Sequence, residues 1–193
     1  MNEENKEKGE RAEKLFEHYL NSVTIPFYRI DQNKESQSEE FRNKHIRRPD
    51  YLIHTKKGVF HVDVKYRKKT PFGKNKEERF PIGSDNIDSL FQFQEQFYQE
   101  VWLAFTNNLN DPQFYYITIS IINEYYINIQ KIYAEKKYKI PEEILIYIPD
   151  SLLLFDKLSF EKGFYKEPNL ANIEEDVECL NRIAHYTDNK KEA

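Results

Sequence analysis

Two aspartates lie inside the most basic segment of the chain, and one of them falls within an apolar strand, where an acidic side chain costs folding energy unless a cation compensates it. The segment RRPDYLIHTKKGVFHVDVKYRKK covers residues 47–69 and contains Asp50 and Asp63. Because successive side chains of a strand point to opposite faces, residues 59–67 divide into two sets. The apolar set, which can pack in a core, is Phe60, Val62, Val64 and Tyr66. The polar set on the other face is His61, Asp63, Lys65 and Arg67.

The spacing predicts that the two aspartates face each other. YLIHT and GVFHVDVKY are β-rich runs on either side of a Lys-Lys-Gly turn, which is typical of a hairpin. A loop of two or four residues centred between Lys56 and Lys57 pairs Asp50 with Asp63, with Cα atoms about 4.5–5.5 Å apart. A three-residue loop would leave the aspartates diagonal and farther apart.

Two carboxylates this close repel each other, and one becomes protonated unless a cation lies between them. Lys65 and Arg67 could supply part of the positive charge, and a divalent cation would supply more. Oxygen ligands of this kind favour Mg²⁺, which also binds phosphate. We therefore expect Asp50, Asp63 and the Val64 carbonyl to hold a metal that polarises a phosphate and acidifies a water. Lys65 would orient that water or stabilise the charge that develops on the phosphorane.

Basic residues surround the aspartates although the chain as a whole is acidic. Residues 42–76 contain twelve Lys or Arg and two Asp, a local charge of +10; the net charge of the chain is −4, so the other residues carry −14. Such a segment predicts a polyanionic partner, because Lys and Arg neutralise phosphates and release counterions, although a solvated loop surface would look similar. The candidate nucleic-acid contacts are Arg47, Arg48, Arg67, Lys68 and Lys69.

Composition indicates a globular protein rather than a disordered or membrane-spanning one. The 193 residues are 39% apolar and 32% charged, which is enough to bury a core in one domain. The single cysteine, Cys179, excludes an intrachain disulfide framework and a cysteine-based zinc site. Neither a long apolar run nor a secretory signal is present. We expect a cytoplasmic protein with no membrane partner.

Hydrophobic periodicity predicts a mixed α/β domain. The first part reads as helix, strand, strand, strand, helix, strand. The predicted helices are 3–20, one capped by Asp85 or Ser84, 123–139 and 168–186. The predicted strands are 26–31, the two hairpin strands, 101–106, 114–122 and 144–148. Residues 32–48 and 68–83 read as connections without a clear period.

Pro49-Asp50, followed by Asp63-Val64-Lys65 on the next strand, resembles the PD-(D/E)XK nuclease superfamily. The resemblance covers residues 9–106 and implies a restriction-endonuclease-like αβββαβ core, a mixed sheet flanked by helices, within one domain of residues 1–193. Residues 107–193 would extend the sheet and add helices that select the substrate or form a homodimer. The chain departs from the commoner pattern by carrying Asp rather than Glu at position 63.

The resemblance implies two further site residues. In that family a helix before the hairpin often supplies a glutamate, and Glu13 in Gly9-Glu10-Arg11-Ala12-Glu13 is the candidate. Many members also carry a glutamine on the helix after the lysine strand. Gln94 is that candidate, with Gln92 as the alternative, although a structural hydrogen bond would explain Gln94 as well. The implied catalytic set is Glu13, Asp50, Asp63, Lys65 and Gln94, and the implied metal ligands are Glu13, Asp50, Asp63 and Val64.

The resemblance implies a Mg²⁺-dependent nuclease that hydrolyses DNA phosphodiester bonds, as an endonuclease rather than an exonuclease, with Mn²⁺ as a substitute. An alternative is a catalytically inactive module of the same fold that binds nucleic acid or takes part in an assembly. A third interpretation is a salt-bridged hairpin without a nucleic-acid role, in which Lys65 and Arg67 compensate the two aspartates. Retention on DNA that does not weaken as salt rises would favour this third interpretation.

Overall fold

The strands pair into two sheets, and helices cover them. The structure is a computed structural model that describes residues 3–55, 58–139, 144–149, 152–153 and 173–191. In chain order, the described elements are α1 (Glu3–Ser22), β1 (Phe27–Arg29), a 3-10 turn (Lys34–Ser36), α2 (Glu39–Asn43), β2 (Tyr51–Thr55), β3 (Gly58–Tyr66), β4 (Thr70–Phe72), β5 (Glu77–Gly83), α3 (Ser84–Phe97), β6 (Val101–Thr106), β7 (Tyr115–Thr118), α4 (Ile119–Glu135), β8 (Leu145–Ile148) and α5 (Ile173–Lys191).

The larger sheet has five strands in the order β1, β2, β3, β6, β7. β3 and β6 run parallel, and the other neighbours are antiparallel. A parallel pair needs a long crossover connection, which β4, β5 and α3 provide. The smaller sheet is antiparallel, in the order β4, β5, β8. The predicted mixed α/β fold, a mixed sheet flanked by helices, is confirmed.

The alternating side chains of β3 serve two different faces of the larger sheet. Val62 and Val64 pack with Phe16 and its neighbours on α1. Asp63 lies on the other face, together with Leu103 of β6, its partner in the parallel pairing. There the apolar side chains of β6 pack against α3, α4 and the smaller sheet. Burying one Phe or Leu stabilises a fold by about 1.5–3 kcal/mol, so packing on both sides holds β3 in register.

The hairpin has the register predicted for a loop of two or four residues. Tyr51 pairs with Val62 and Thr55 with Gly58, which excludes the three-residue alternative. Lys56 and Lys57 at the turn lie outside the described residues. Continuing the pairing by one position beyond Tyr51 places Asp50 opposite Asp63.

The prediction of a loop over residues 68–83 was wrong, because this segment forms β4 and β5. Pro71, Pro81 and two glycines favoured a loop, since proline cannot donate to a strand ladder. β4 pairs only with Glu77–Arg79, however, and β8 only with Phe80–Gly83. Each stretch of β5 therefore has a single neighbour, and its unpaired side accommodates the missing N–H. Gly73, with φ +76°, makes the turn between the strands.

Three other boundaries differ from the prediction. The expected strand 114–122 ends at Thr118, whose side chain accepts a hydrogen bond from the Ile121 N–H and so caps α4. At the start of α3 neither Ser84 nor Asp85 caps the helix, because Gly83 occupies the cap position. α5 begins at Ile173 rather than at residue 168, and residues 168–172 lie outside the described part of the chain. None of the described helices has the length and apolar character needed to cross a membrane.

Candidate active site

Asp50 and Asp63 are buried on the same face of the hairpin. Asp63 is 0% exposed and Asp50 is 5% exposed. The Val64 N–H donates a hydrogen bond of 2.7 Å to Asp50 Oδ2. Because the N–H and C=O of one strand residue point to the same side of the strand, we expect the Val64 carbonyl on the β2 side of β3, near Asp50. The two carboxylates lie in one small region at the start of β2.

Burial and mutual repulsion make it unfavourable for both carboxylates in this region to be ionised. Burial, followed by the negative charge of Asp63, raises the pKa of Asp50 to about 7. The hydrogen bond from Val64 and the positive charge of Lys65 oppose the increase only in part. A cation bound between the carboxylates would therefore allow both to ionise at neutral pH.

Two cationic side chains compensate Asp63. The Lys65 ammonium contacts Asp63 Oδ2, and Arg47 Nε lies 3.4 Å from Asp63 Oδ1. Lys65 is itself buried, and the loss of solvation lowers its pKa, against the raising effect of Asp63. Within the described residues neither oxygen of Asp63 accepts a hydrogen bond of ordinary geometry, so ion contacts alone hold this carboxylate. The third interpretation named Arg67 for this role, and the structure places Arg47 there.

Among the described residues, Glu13 does not form a three-carboxylate cluster with the two aspartates, although in addition to burial its negative charge raises the pKa of Asp50 and the charge of Asp63 raises the pKa of Glu13. It lies on α1, which covers the opposite face of the sheet, and its carboxylate pairs with Arg29 at 2.7 Å. Burial raises the pKa of Glu13, and Arg29 lowers it in part. In the part of the chain that the structure describes, no three Asp, Glu, His or Cys side chains approach closely enough to hold an ion.

Gln94 links three elements through hydrogen bonds. Its Nε2 donates to Ser120 Oγ at 2.7 Å, and its Oε1 accepts from the Val101 N–H at 3.0 Å. Val101 begins β6 and pairs with His61, two residues before Asp63 on β3. The structural hydrogen bond, one of the two interpretations of this residue, is the one that the structure displays.

The predicted nucleic-acid contacts have different surroundings. Arg48 donates to Ser36 Oγ and to the Asn33 carbonyl, which ties the polar connection to the start of β2. Lys69 lies over the rings of Phe80 and Tyr115, at 5.1 and 4.7 Å from their centroids. Arg67 donates to the carbonyl of its neighbour Tyr66. Lys68 is exposed.

Sequence reasoning missed the contact between the site and α3. Arg47 NH1 donates to Asn86 Oδ1 at 2.9 Å, which connects Asp63 to the first turn of α3. From the sequence alone, Arg47 is a candidate nucleic-acid contact and not a partner of Asp63. Its proximity to Asp63 depends on how the segment after α2 folds over the sheet, and no sequence pattern records that.

The donor atoms fit a divalent cation that retains part of its water shell. Asp63 offers two buried oxygens without hydrogen bonds, Asp50 lies in the same region, and we expect the Val64 carbonyl near Asp50. Mg²⁺ is usually bound by one or two carboxylates, with waters and phosphate oxygens completing the coordination. A site with two acidic residues is therefore sufficient for this ion, even without Glu13.

Among solved structures, the chain is similar to the Holliday junction resolvase Hjc of Archaeoglobus fulgidus, with 17% sequence identity and a TM-score of 0.42. The alignment covers 58% of this chain and 78% of that chain. A comparison with curated proteins found no match.

A family match covers more than half of the chain. Residues 8–120 match the family described as NERD, nuclease-related domain, and this range contains Glu13, Asp50, Asp63, Lys65 and Gln94. The predicted membership of the PD-(D/E)XK type of nuclease fold is confirmed. On the basis of the match over residues 8–120, the chain belongs to the nuclease-related domain family.

Proposed function

We propose that the protein is a Mg²⁺-dependent nuclease that hydrolyses DNA phosphodiester bonds, with Mn²⁺ as a substitute. The observation that supports this most strongly is the buried pair Asp50 and Asp63 beside the buried Lys65. Burying an ion costs several kcal/mol unless excellent partners compensate it. A site that binds a metal and a phosphate explains why this face of β3 carries charge where its neighbours are apolar.

The residues have separable roles in this proposal. Asp50, Asp63 and the Val64 carbonyl would hold the metal. When bound, the metal would supply positive charge to the scissile phosphate and lower the pKa of a water. Lys65 Nζ, two residues beyond Asp63 on the same face, would orient the attacking water or donate to the developing negative charge. Glu13 would take part only if its ion pair with Arg29 opened.

The basic residues after Lys65 would bind the nucleic-acid backbone. Arg67, Lys68 and Lys69 lie two to four residues after Lys65, so the phosphates next to one bound at Lys65 would be within their reach. These contacts position the strand and carry no sequence preference. We therefore propose an endonuclease whose choice of DNA form depends on other parts of the chain.

Circular DNA tests the proposal, because a circle has no ends for an exonuclease. Supercoiled plasmid and circular single-stranded DNA are incubated with Mg²⁺ or Mn²⁺ and either wild type or Asp63→Asn. Wild type should cut the circles, and the variant should cut them at least about 100-fold more slowly. A loss of this size is expected when an electrostatic contribution to the transition state is removed. Cutting of linear DNA alone would identify an exonuclease. No cutting of any form, together with no Mn²⁺ binding at millimolar concentration, would reject the proposal.

One observation favours a second function, a nucleic-acid-binding module without catalysis. Lys65 and Arg47 already compensate Asp63, and no third acidic residue joins it among the described residues. Such a module would bind DNA in a salt-dependent way in the presence of EDTA. It would also keep its biological activity in the Asp63→Asn variant.

A further inference from the structure

Arg47 differs from Lys65 in how firmly it is held at Asp63. The Lys65 side chain is 4% exposed and comes from β3 itself, whereas the Arg47 side chain is 42% exposed. Arg47 belongs to the segment between α2 and β2, which the structure leaves without regular secondary structure. Of the two cations that share Asp63, Arg47 is the one that can leave without opening the core.

The contacts of Arg47 leave part of its guanidinium available. Nε lies 3.4 Å from Asp63 Oδ1, longer than a strong ion-pair hydrogen bond, and NH1 donates to Asn86 Oδ1. A guanidinium presents five N–H donors in a planar fork that fits a phosphate as well as a carboxylate. Arg47 therefore combines an anchor at the metal ligand with a solvent-facing group that can bind an anion.

We propose that Arg47 is an exchangeable counter-charge, which pairs with Asp63 when no metal is bound and moves to a nucleic-acid phosphate when a divalent cation takes its place. This inference rests on the proposed function, since it assumes that Asp50 and Asp63 hold a metal. The cation and the guanidinium compete for the same carboxylate, and each repels the other. A phosphate that arrives with the metal accepts the released guanidinium.

Competition makes an unusual prediction for a basic residue near a metal site. Arg47 Nε lies 3.4 Å from an oxygen of a proposed metal ligand, and the side chain is 42% exposed. Removing its positive charge should therefore make Mn²⁺ bind more tightly, by about tenfold at a dielectric close to that of water. DNA binding in the presence of the metal should weaken, because the phosphate loses its arginine. If Arg47 only supported the fold, its removal would neither tighten Mn²⁺ binding nor weaken DNA binding in the presence of the metal.

The experiment measures Mn²⁺ affinity by calorimetry, without DNA, for wild type, Arg47→Ala and Arg47→Gln. Arg47→Gln removes the charge and keeps a side-chain amide that can bond to Asn86, so it serves if Arg47→Ala does not fold. The matched control is Lys44→Ala, which removes a charge three residues away whose ion pair is with Glu40. We expect about tenfold tighter Mn²⁺ binding in both Arg47 variants and no change in the control.

DNA affinity, measured at several salt concentrations in Ca²⁺ with cleavage monitored, provides the second readout. The salt dependence should lose about one unit of slope in the Arg47 variants. Mn²⁺ affinity equal to or below that of wild type in the Arg47 variants would overturn the inference while leaving the nuclease proposal intact. Failure of wild type to bind Mn²⁺ or to cut DNA would instead reject the proposed function, and this inference with it.

Discussion

Asp50 combines a raised pKa with a place in the proposed metal site. Its pKa is raised to about 7, first because it is buried and second because Asp63 is close. In the unfolded chain an aspartate titrates near 3.9. The folded protein therefore holds a proton at Asp50 between about pH 4 and pH 7 that the unfolded chain has already released.

This difference predicts the pH dependence of stability. A group whose folded pKa is raised contributes stability below its unfolded pKa, and the contribution is lost as pH rises through the folded pKa. In EDTA, the free energy of unfolding should fall between pH 5 and pH 8 by an amount on the order of 2 kcal/mol. Urea denaturation at both pH values measures it.

The control for this prediction is Asp50→Asn, which keeps an acceptor for the Val64 N–H but does not titrate. Its stability should change less than that of wild type between the two pH values. Mg²⁺ should stabilise wild type more at pH 8 than at pH 5, since the ionised carboxylates are its ligands. An equal pH dependence in wild type and Asp50→Asn would assign the effect to other groups.

The positions of single residues could be predicted where the two-residue period of a strand determines them. Strand alternation placed Asp63 and Lys65 on one face, and the hairpin register placed Asp50 opposite, because both follow from local geometry. Arg47 and Gln94 were harder, because their partners Asp63, Asn86, Ser120 and Val101 are brought together only by tertiary packing.

At the scale of elements, a buried ion pair fastens α5 to the smaller sheet. Arg79 of β5 reaches Asp176 of α5 at 2.9 Å, and both side chains are almost fully buried. The Tyr125 hydroxyl of α4 donates to the other oxygen of Asp176. Without Asp176, buried Arg79 would keep its ion pair with the partly exposed Glu77, at 2.8 Å, but would lose its buried counter-charge.

Asp176→Asn should therefore lower the free energy of unfolding by about 3 kcal/mol or more. The matched control on the same helix is Glu178→Gln, which breaks an exposed pair with Lys136 at 3.1 Å and should leave the free energy of unfolding nearly unchanged. Chemical denaturation of both variants gives the comparison. Equal losses in the two would mean that α5 is not fastened through Arg79.

The elements that sequence reasoning missed share a cause. β4 and β5 contain prolines and glycines that usually end strands, and only the one-sided pairing of β5 makes them compatible with a sheet. α2 is five residues long, too short for a hydrophobic period to be visible. In contrast, α1 shows a regular apolar stripe from Ala12 to Leu20, and its prediction from 3 to 20 agrees with Glu3–Ser22.

For the whole molecule, the segregation of charge predicts how it meets DNA. Residues 42–76 carry +10 in a chain of net charge −4, so the acidic remainder should repel DNA everywhere except at this segment. Binding should weaken steeply as salt rises, in proportion to the number of phosphates that are contacted.

Lys68→Ala should reduce the slope of log K against log salt by about one unit. Lys131→Ala, which removes an exposed lysine from α4, outside the basic segment, should leave the slope unchanged. Fluorescence anisotropy with a labelled oligonucleotide in EDTA measures both. A similar loss in the two variants would indicate that the acidic remainder does not confine DNA to the basic segment.

Because β3 contributes to the core on one face and to the candidate site on the other, it restricts which mutations a protein of this kind can tolerate. Val62 and Val64 build the core against α1, while Asp63 and Lys65, interleaved with them, form the site. Inserting or deleting one residue in this strand would exchange the two sets and abolish fold and chemistry together. A single base change that converts Asp63 to Asn preserves the core set. If the proposed function holds, descendants could therefore lose DNA cleavage in one step and persist as folded proteins that bind DNA.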